Sequence, residues 1–201
     1  MVLMIFPEGT LVSEQTRPHS KKYADKLGIA DLEHALLPRS TGLHNTLLTL
    51  SQIPSLYLLD FTITYPGVAR DSYPQRHYTL RSIFMSGVPP PAIHVHLKLL
   101  KVSSDIPVGI PRALPNGKPA SPTANPIQDP TDEEKIVFES WLQEKWRRKD
   151  ELMETFAQNG AYTGVSKSVT LPLRLRKWTD VFDVYCWWSI LLCFAIWKYF
   201  H

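Results

Sequence analysis

The sequence opens with MVLMIFPEGT (Met1–Thr10), a short apolar run that leads into a polar turn. The run has no preceding basic region and is too short for the hydrophobic part of a signal peptide, so it predicts a buried strand at Val2–Phe6. The proline and the glycine that follow end regular structure and place Glu8 and Thr10 in a turn. Such a turn can present polar groups to a ligand, because little conformational freedom remains to be lost on binding.

The spacing of apolar residues predicts helices that alternate with strands over the first hundred residues. Helices are expected at Pro18–Leu27 and Leu43–Ile53, where Gly28 and Pro54 provide the stops. Strands or strand-like segments are expected at His34–Gly42 (broken at Pro38), Ser55–Tyr65, Tyr78–Met85 and Ile93–Val102. This order predicts an α/β domain with a mixed sheet flanked by helices.

A proline-rich segment and a long helix follow. Prolines recur every three or four residues from Pro107 to Pro130, which predicts an extended linker or a surface insertion. Thr131 and Glu134 then form the pattern of a capping box, and an apolar stripe begins at helical spacing. The stripe consists of Phe138, Trp141, Leu142, Trp146, Met153 and Phe156. We expect this amphipathic helix to pack on the domain; contact of its basic, tryptophan-rich part with a membrane surface is the alternative.

Residues 181–200, VFDVYCWWSILLCFAIWKYF, are the most apolar and aromatic part of the chain. A membrane span normally takes about 17 to 25 residues, and the nearly uninterrupted apolar part here runs only from Val184 to Trp197. The segment is compatible with a short or truncated span, an interfacial helix or a buried core helix. The four positive charges and no acidic residue between Val165 and Trp178 favour a flank that faces anionic lipid, with an ordinary solvated loop as the alternative.

Composition excludes several classes of protein. The formal net charge of +3, from 22 basic and 19 acidic residues, is too small to indicate nucleic-acid binding. The two cysteines, Cys186 and Cys193, both lie in the apolar segment, which excludes a disulfide-stapled secreted module. His94 and His96 share one face of an expected strand, but the sequence places no third ligand, so no metal site is expected.

A second block, LLPRSTG (Leu36–Gly42), supplies Arg39, whose planar guanidinium is suited to phosphate. Together with FPEGT (Phe6–Thr10), this block resembles the glycerolipid acyltransferase family, in particular the branch that contains 1-acylglycerol-3-phosphate and lysocardiolipin acyltransferases. FPEGT resembles the third block of the family and LLPRSTG the fourth. Further similar segments are DFTITYPG (Asp60–Gly67), IHVHL (Ile93–Leu97) and FESWLQEKWRRKDELMETF (Phe138–Phe156). The proline-rich insertion departs from shorter members of the family.

The resemblance implies a one-step acyl transfer. A histidine oriented by an aspartate deprotonates the free hydroxyl of a lysophospholipid, and this hydroxyl attacks the thioester of acyl-CoA. In the family this pair is encoded as H-x-x-x-x-D upstream of FPEGT, and none of the seven histidines of this chain is followed by aspartate at that spacing. Many relatives have arginine where this chain has Leu11, which leaves Arg39 as the candidate for a phosphate contact and Arg17 as a weaker one.

We therefore expect a lipid-phosphate subsite at Glu8, Gly9, Thr10 and Arg39, no catalytic residue in this chain, and no cofactor besides the co-substrate acyl-CoA. The implied enzyme is similar to 1-acylglycerol-3-phosphate O-acyltransferase and acylates lysophosphatidic acid or a related lysophospholipid in phospholipid biosynthesis or remodelling, while this chain alone is expected to be inactive. The alternative is a non-enzymatic membrane- or lipid-binding remnant. A membrane location is expected, with the endoplasmic reticulum favoured over a mitochondrial membrane.

The expected organisation has four parts. These are the C-terminal half of an acyltransferase domain at 1–105, the proline-rich insertion at 106–130, the amphipathic helix of that domain at 131–165, and a basic flank with a membrane-associated tail at 166–201.

Overall fold

The computed structural model describes residues 2–69, 72–112, 129–164, 167–172 and 198. The chain divides into two compact units, Met1–Gly164 and Val165–His201, and every element described below belongs to the first. Most of the proline-rich segment and all of residues 181–200 except Lys198 lie outside the described residues, so the interpretations of these segments stay predictions. Within the described part of the chain, no helix is both long enough and apolar enough to cross a membrane.

The first unit combines helices with one antiparallel pair of strands. In chain order the elements are α1 (Arg17–Leu27), α2 (Ser40–Leu50), β1 (Tyr57–Thr64), α3 (Pro74–His77), α4 (Leu80–Phe84), β2 (His94–Lys101), α5 (Val102–Asp105) and α6 (Asp132–Asn159). The α/β class is confirmed.

The predicted mixed sheet is wrong for the described residues, where the sheet has only two strands. β1 and β2 run antiparallel, with Tyr57 opposite Lys101 and Thr64 opposite His94. Antiparallel neighbours can pair directly, whereas a mixed sheet also needs parallel neighbours joined by crossover connections. One face of the sheet packs against α6. At this contact the Lys149 ammonium of α6 donates to the carbonyl of Phe61 at 2.7 Å and pairs with the carboxylate of Asp60.

The first predicted strand, Val2–Phe6, is wrong: the segment forms no strand, and Val2 and Phe6 are 94% and 74% exposed. A strand requires a neighbour to pair with its backbone groups, and no described residue supplies one here. The strand predicted at His34–Gly42 is also wrong: residues 34–39 have no partner strand among the described residues, and Ser40 already begins α2.

The strand predicted at Tyr78–Met85 is wrong, because this segment contains the short helix α4. The hydroxyl of Thr79 accepts a hydrogen bond from the amide of Ser82 at 3.0 Å and caps this helix. This local side-chain bond favours the helical turn over an extended conformation.

The glycine stops and the cap of α6 are confirmed, whereas α2 ends at Leu50, four residues before the predicted stop at Pro54. Gly28 stops α1 in the left-handed region at φ 66°, and Gly160 stops α6 at φ 69°. The capping box of Thr131 and Glu134 is present at the start of α6. These bonds satisfy backbone groups that the first and last turns of a helix otherwise leave unpaired.

The core forms where α2 and α6 pack together, as expected for the amphipathic helix. Phe138, which is fully buried, stacks on the imidazole of His44 with ring centres 4.2 Å apart. His44 in turn donates from Nε2 to the carbonyl of Val108 at 2.8 Å, so its polar atom is satisfied inside the core. The other buried members of this cluster are Ala35, Leu43, Leu47, Leu48, Leu100, Val102, Ile106, Val108, Leu142 and Trp146.

Candidate functional site

The FPEGT and LLPRSTG blocks lie side by side. The amide of Gly9 donates to the carbonyl of Phe6 at 3.0 Å, and Gly9 has φ 74°, a conformation that favours glycine. The amide of Arg39 donates to the carbonyl of Pro7 at 2.9 Å. This single backbone bond brings together residues that are 31 or 32 positions apart in the sequence.

The carboxylate of Glu8 holds this turn through two hydrogen bonds. Its Oε1 accepts from the indole Nε1 of Trp146 at 3.0 Å, and its Oε2 accepts from the amide of Leu36 at 3.2 Å. Burial raises the pKa of Glu8, while the bonds from Trp146 and Leu36 and the charges of Lys149 and Arg17 partly oppose that rise. Both carboxylate oxygens therefore accept hydrogen bonds from within the domain, and Glu8 acts as a positioning residue for the turn.

A chain of contacts continues from Glu8 to the sheet. The ammonium of Lys149 lies 4.7 Å from the centre of the Trp146 ring, and the same ammonium pairs with Asp60 of β1. The side chain of Lys149 is mostly buried, at 12% relative exposure, so its charge is only weakly screened by solvent. Trp146 and Lys149 thus fix the turn relative to both α6 and β1.

Two further side chains clamp the stretch that leads to Arg39. The carboxylate of Asp150 accepts hydrogen bonds from three consecutive amides, those of Glu33, His34 and Ala35, at 2.7–3.0 Å. The guanidinium of Arg17 donates to the carbonyls of Leu32, Glu33 and Ala35 at 2.5–2.9 Å. Because Arg17 is engaged with these carbonyls, the geometry does not favour it as a phosphate ligand.

The remaining predicted site residues face solvent. Gly9, Thr10 and Arg39 are all exposed. Arg39 is the N-cap residue of α2, has an extended backbone, and its side chain makes no hydrogen bond or ion pair to the described residues. The first turn of α2 carries no acidic residue and no side-chain cap, so Arg39 is the residue at the positive end of the dipole of this helix.

A cavity of about 500 Å³ begins immediately after the turn, at Leu11 and Val12. Its walls are largely apolar and aromatic. Other residues that line it include Ile63, Tyr65, Tyr78, Met153 and Phe156. Its volume lies in the usual range for small-molecule pockets, about 300–1,000 Å³.

One group of polar side chains beside this cavity has the chemistry of cation ligands. Atoms of Glu33, His34 and Glu154 lie within 4.8 Å of one another, and His34 Nε2 is 2.7 Å from Glu154 Oε2. The hydrogen bond accounts for the short distance between His34 and Glu154. The rings of His94 and His96 contact Phe156 and Tyr162, respectively.

Sequence reasoning missed the residues that support the site. Trp146 was recognised as part of an apolar stripe, but its indole N–H bonds to a carboxylate 138 residues away. Lys149 and Asp150 belonged to a charged part of α6 with no motif of its own. The available signal was the family resemblance of Phe138–Phe156, which covers all three.

Replacing Trp146 with phenylalanine tests the support of the turn. The change keeps an aromatic ring but leaves Glu8 Oε1 without its donor, so we expect a loss of about 1–3 kcal/mol in the free energy of unfolding. Trp141→Phe is the matched control because Trp141 contacts Phe138 and Lys145 but not Glu8. Urea unfolding followed by circular dichroism measures both; equal effects of the two variants would argue against the role given to Trp146.

The raised pKa of Glu8 predicts a pH dependence with a defined sign. The folded state holds this proton more tightly than the unfolded state, whose pKa is near the ordinary 4.5. The contribution is therefore fully favourable below pH 4.5 and is lost as the pH rises through the folded-state pKa. Glu8→Gln removes the titrating group and also one of the two oxygens that accept hydrogen bonds. The change in stability with pH therefore tests the prediction, and the stability at a single pH does not. The stability of the variant relative to the natural chain should rise between pH 4 and 7; a fall would mean that the pKa of Glu8 is lowered.

No protein-family model and no solved structure matches the chain. Curated proteins do match it. The chain is 34% identical over 179 residues to a 2-acyl-1-lysophosphatidylinositol acyltransferase of Saccharomyces cerevisiae. The aligned region covers 87% of this chain and 38% of that protein. It is also 30% identical over 155 residues to lysocardiolipin acyltransferase 1 of Danio rerio. That alignment covers 77% of this chain and 31% of that protein.

A third relative is a probable 1-acyl-sn-glycerol-3-phosphate acyltransferase of Arabidopsis thaliana, 27% identical over 165 residues, with 80% of this chain and 33% of that protein covered. The chain thus spans about a third to two fifths of the length of these curated relatives. The similarity agrees with the sequence blocks described above. The chain is therefore a homologue of the glycerolipid acyltransferases.

Proposed function

We propose that this chain supplies the lipid-phosphate subsite of an enzyme that transfers an acyl group from acyl-CoA to the free hydroxyl of a lysophospholipid. The observation that carries the proposal is Arg39, an exposed residue whose guanidinium has no hydrogen bond or ion pair among the described residues, at the N-terminus of α2, which has no side-chain cap. Guanidinium groups and helix N-termini both bind phosphate, and Arg39 is the N-cap residue of α2.

The neighbouring turn supports this assignment. The backbone bond from Arg39 to Pro7 holds the backbone of Arg39 next to the turn that contains Gly9 and Thr10, and both of these residues are exposed. A glycine without a side chain lets a ligand approach the backbone closely, and a threonine hydroxyl can donate to a phosphate oxygen. Glu8 acts indirectly, because its contacts with Trp146 and Leu36 hold the turn in place.

The substrate class follows from what the relatives share. Their names specify lysophosphatidylinositol, lysocardiolipin and 1-acyl-sn-glycerol-3-phosphate, which differ in head group but all contain a phosphate and an acyl chain. Arg39 suits the phosphate, and the apolar cavity that starts at Leu11 suits a hydrocarbon chain. The head group is left open.

The chemical step needs a group that this chain does not contain. General-base assistance typically supplies about 10²- to 10⁴-fold in rate, and the family's H-x-x-x-x-D pattern is absent here. The chain by itself should therefore bind lysophospholipid without acylating it. The second candidate function is a lipid-binding protein without acyltransferase activity. The absence of the H-x-x-x-x-D pattern from these residues favours it.

Arg39→Ala tests the subsite in a fusion of this chain to the H-x-x-x-x-D segment of the yeast relative. Loss of a charge-assisted contact costs about 1.5–3 kcal/mol, which corresponds to an increase of about 10- to 150-fold in the KM for lysophospholipid. The KM for acyl-CoA should change little, because that substrate does not use the same phosphate contact. Steady-state kinetics with each substrate varied in turn measures both values.

Arg81→Ala is the matched control, since Arg81 is also exposed but lies on α4. Unchanged lysophospholipid kinetics in a stably folded Arg39→Ala fusion would remove the phosphate role. Turnover by the natural chain without the fused segment would show that the catalytic base lies within these residues. A fusion that binds lysophospholipid but never turns over would favour the lipid-binding alternative.

We also propose that the chain is held at a membrane by the apolar residues 181–200, with the endoplasmic reticulum favoured. Deletion of 181–201 should move most of the protein from the membrane pellet to the supernatant, because the remaining basic flank gives only salt-sensitive binding. Deletion of 113–128 is the control for chain shortening. Ultracentrifugation with and without alkaline carbonate measures the distribution, and a truncated protein that resists carbonate extraction would contradict the proposal.

A further inference from the structure

The segment between β1 and β2 carries a group of large apolar side chains, here called the α4 tip. It consists of Leu80, Phe84 and Met85, whose relative exposures are 78%, 73% and 82%. Leu80 and Phe84 are four residues apart on α4 and therefore lie on the same side of the helix, and Met85 follows directly. Single exposed apolar residues are common on protein surfaces, whereas three large neighbours indicate a contact surface.

The backbone beneath the α4 tip forms its own hydrogen bonds. The amide of Ile83 donates to the carbonyl of Thr79 at 3.0 Å, and the amide of Met85 donates to the carbonyl of Arg81 at 2.9 Å. The hydroxyl of Ser82 also donates to the carbonyl of Thr79, at 2.9 Å. Backbone groups that are paired locally can enter an apolar medium, whereas unpaired groups there are costly. The α4 tip thus presents apolar side chains on a backbone that is suited to a lipid environment.

The charges around the α4 tip are compatible with phospholipid head groups. The sequence from Ser72 to Ser104 contains no acidic residue, so this segment offers no carboxylate that phosphates would repel. The carboxylate of Glu14 contacts the segment, but it is paired with Arg76 at 2.6 Å. Arg81 is exposed and is the one charged residue of α4, and a long basic side chain can extend to the head groups while its neighbours enter the apolar layer.

The α4 tip is close in sequence to the wall of the cavity described above. Tyr78, two residues before Leu80, lines that cavity, as do Tyr73 and Pro74. The ring of Tyr78 lies 5.6 Å from the ring of Tyr65, another lining residue, measured between ring centres. A bilayer that accepted the α4 tip would therefore lie near this aromatic wall. Tyrosine is also enriched where proteins meet the interface of a membrane.

The size of the α4 tip favours a lipid surface over a protein partner or a second copy of the chain. A stable protein interface buries roughly 1,200–2,000 Å². Three side chains on a helix of five residues supply only part of such an area. A bilayer needs no complementary shape, and interfacial elements enter it to a depth of only about 5–10 Å.

We infer that the α4 tip inserts into the interface of a lipid bilayer and places the cavity wall at Tyr78 next to the membrane. The contact itself follows from the side chains of α4. That lysophospholipid passes from this membrane to the cavity rests on the proposed function. The α4 tip is a membrane contact additional to the one proposed for residues 181–200.

Photo-crosslinking to lipid tests the inference on the full chain. The protein is mixed with phosphatidylcholine vesicles that contain a phosphatidylcholine with a diazirine on its acyl chain. Mass spectrometry after illumination and proteolysis identifies the crosslinked residues. We expect crosslinks within residues 80–85. The double variant Leu80→Asp, Phe84→Asp should reduce their yield at least tenfold, because carboxylates are excluded from the apolar layer.

Two controls separate insertion from other effects of substitution. The double variant Ile136→Asp, Val137→Asp makes the same change at residues of α6 that are 63% and 54% exposed. It should leave the crosslinks within 80–85 unchanged. Arg81→Ala should also leave them unchanged, because phosphatidylcholine has no net charge and the contact is made by apolar side chains. Unchanged circular dichroism confirms that each variant folds.

The opposite results overturn the inference. Crosslinks elsewhere in the chain with none in 80–85, or crosslinks in 80–85 that persist in the Leu80 and Phe84 double variant, would exclude insertion of the α4 tip. Loss of the crosslinks in Arg81→Ala would indicate electrostatic attraction instead. Self-association that the double variant abolishes, without lipid crosslinks, would make a second copy the occupant. The test needs neither lysophospholipid nor turnover, so its failure is distinct from failure of the Arg39 kinetics.

Discussion

The carboxylate of Glu8 joins three parts of the chain that are distant in sequence: the N-terminal turn, the stretch before α2 and the middle of α6. Removing a carboxylate from water is costly unless hydrogen bonds replace the lost hydration. The indole of Trp146 and the amide of Leu36 provide two such bonds, and the raised pKa of Glu8 indicates that they do not fully offset the desolvation. Glu8 therefore fixes geometry at some energetic cost, which is typical of a residue that orders a site.

The position of Arg39 follows from this anchoring. Glu8 holds the turn, the carbonyl of Pro7 accepts the amide of Arg39, and Asp150 clamps the three amides that precede the LLPRSTG block. None of these contacts involves the guanidinium itself. The charge is left directed to solvent at the start of α2, while the backbone that carries it is restrained from both sides. Preorganisation of this kind lowers the entropy that a ligand must pay on binding.

Local signals in the sequence were sufficient for part of this structure. The capping box of Thr131, the glycine stops and the period-two patterns of β1 and β2 each depend on residues a few positions apart. Val2–Phe6 was misassigned because a strand depends on a partner that a local pattern does not reveal. The alternation in β1 was recognised, but which face packs against α6 is decided by Lys149, a residue 89 positions from Asp60. Arg39 could be selected from its block and its chemistry, whereas the bond from Trp146 to Glu8 required the three-dimensional fold.

The contacts that fix the turn are independent of the exposed face of the sheet. The turn, Arg39 and their supports lie among α1, α2 and α6, and their hydrogen bonds are complete within the described residues. The outer face of β1 and β2, which carries the half-exposed residues Leu59, Phe61 and Leu97, takes no part in these bonds. A segment that covered the outer face would gain hydrophobic free energy without disturbing the Glu8 contacts, because the two regions use opposite faces of the sheet. The geometry around Glu8 and the backbone of Arg39 is therefore set by contacts within the described residues, independently of what covers the outer face.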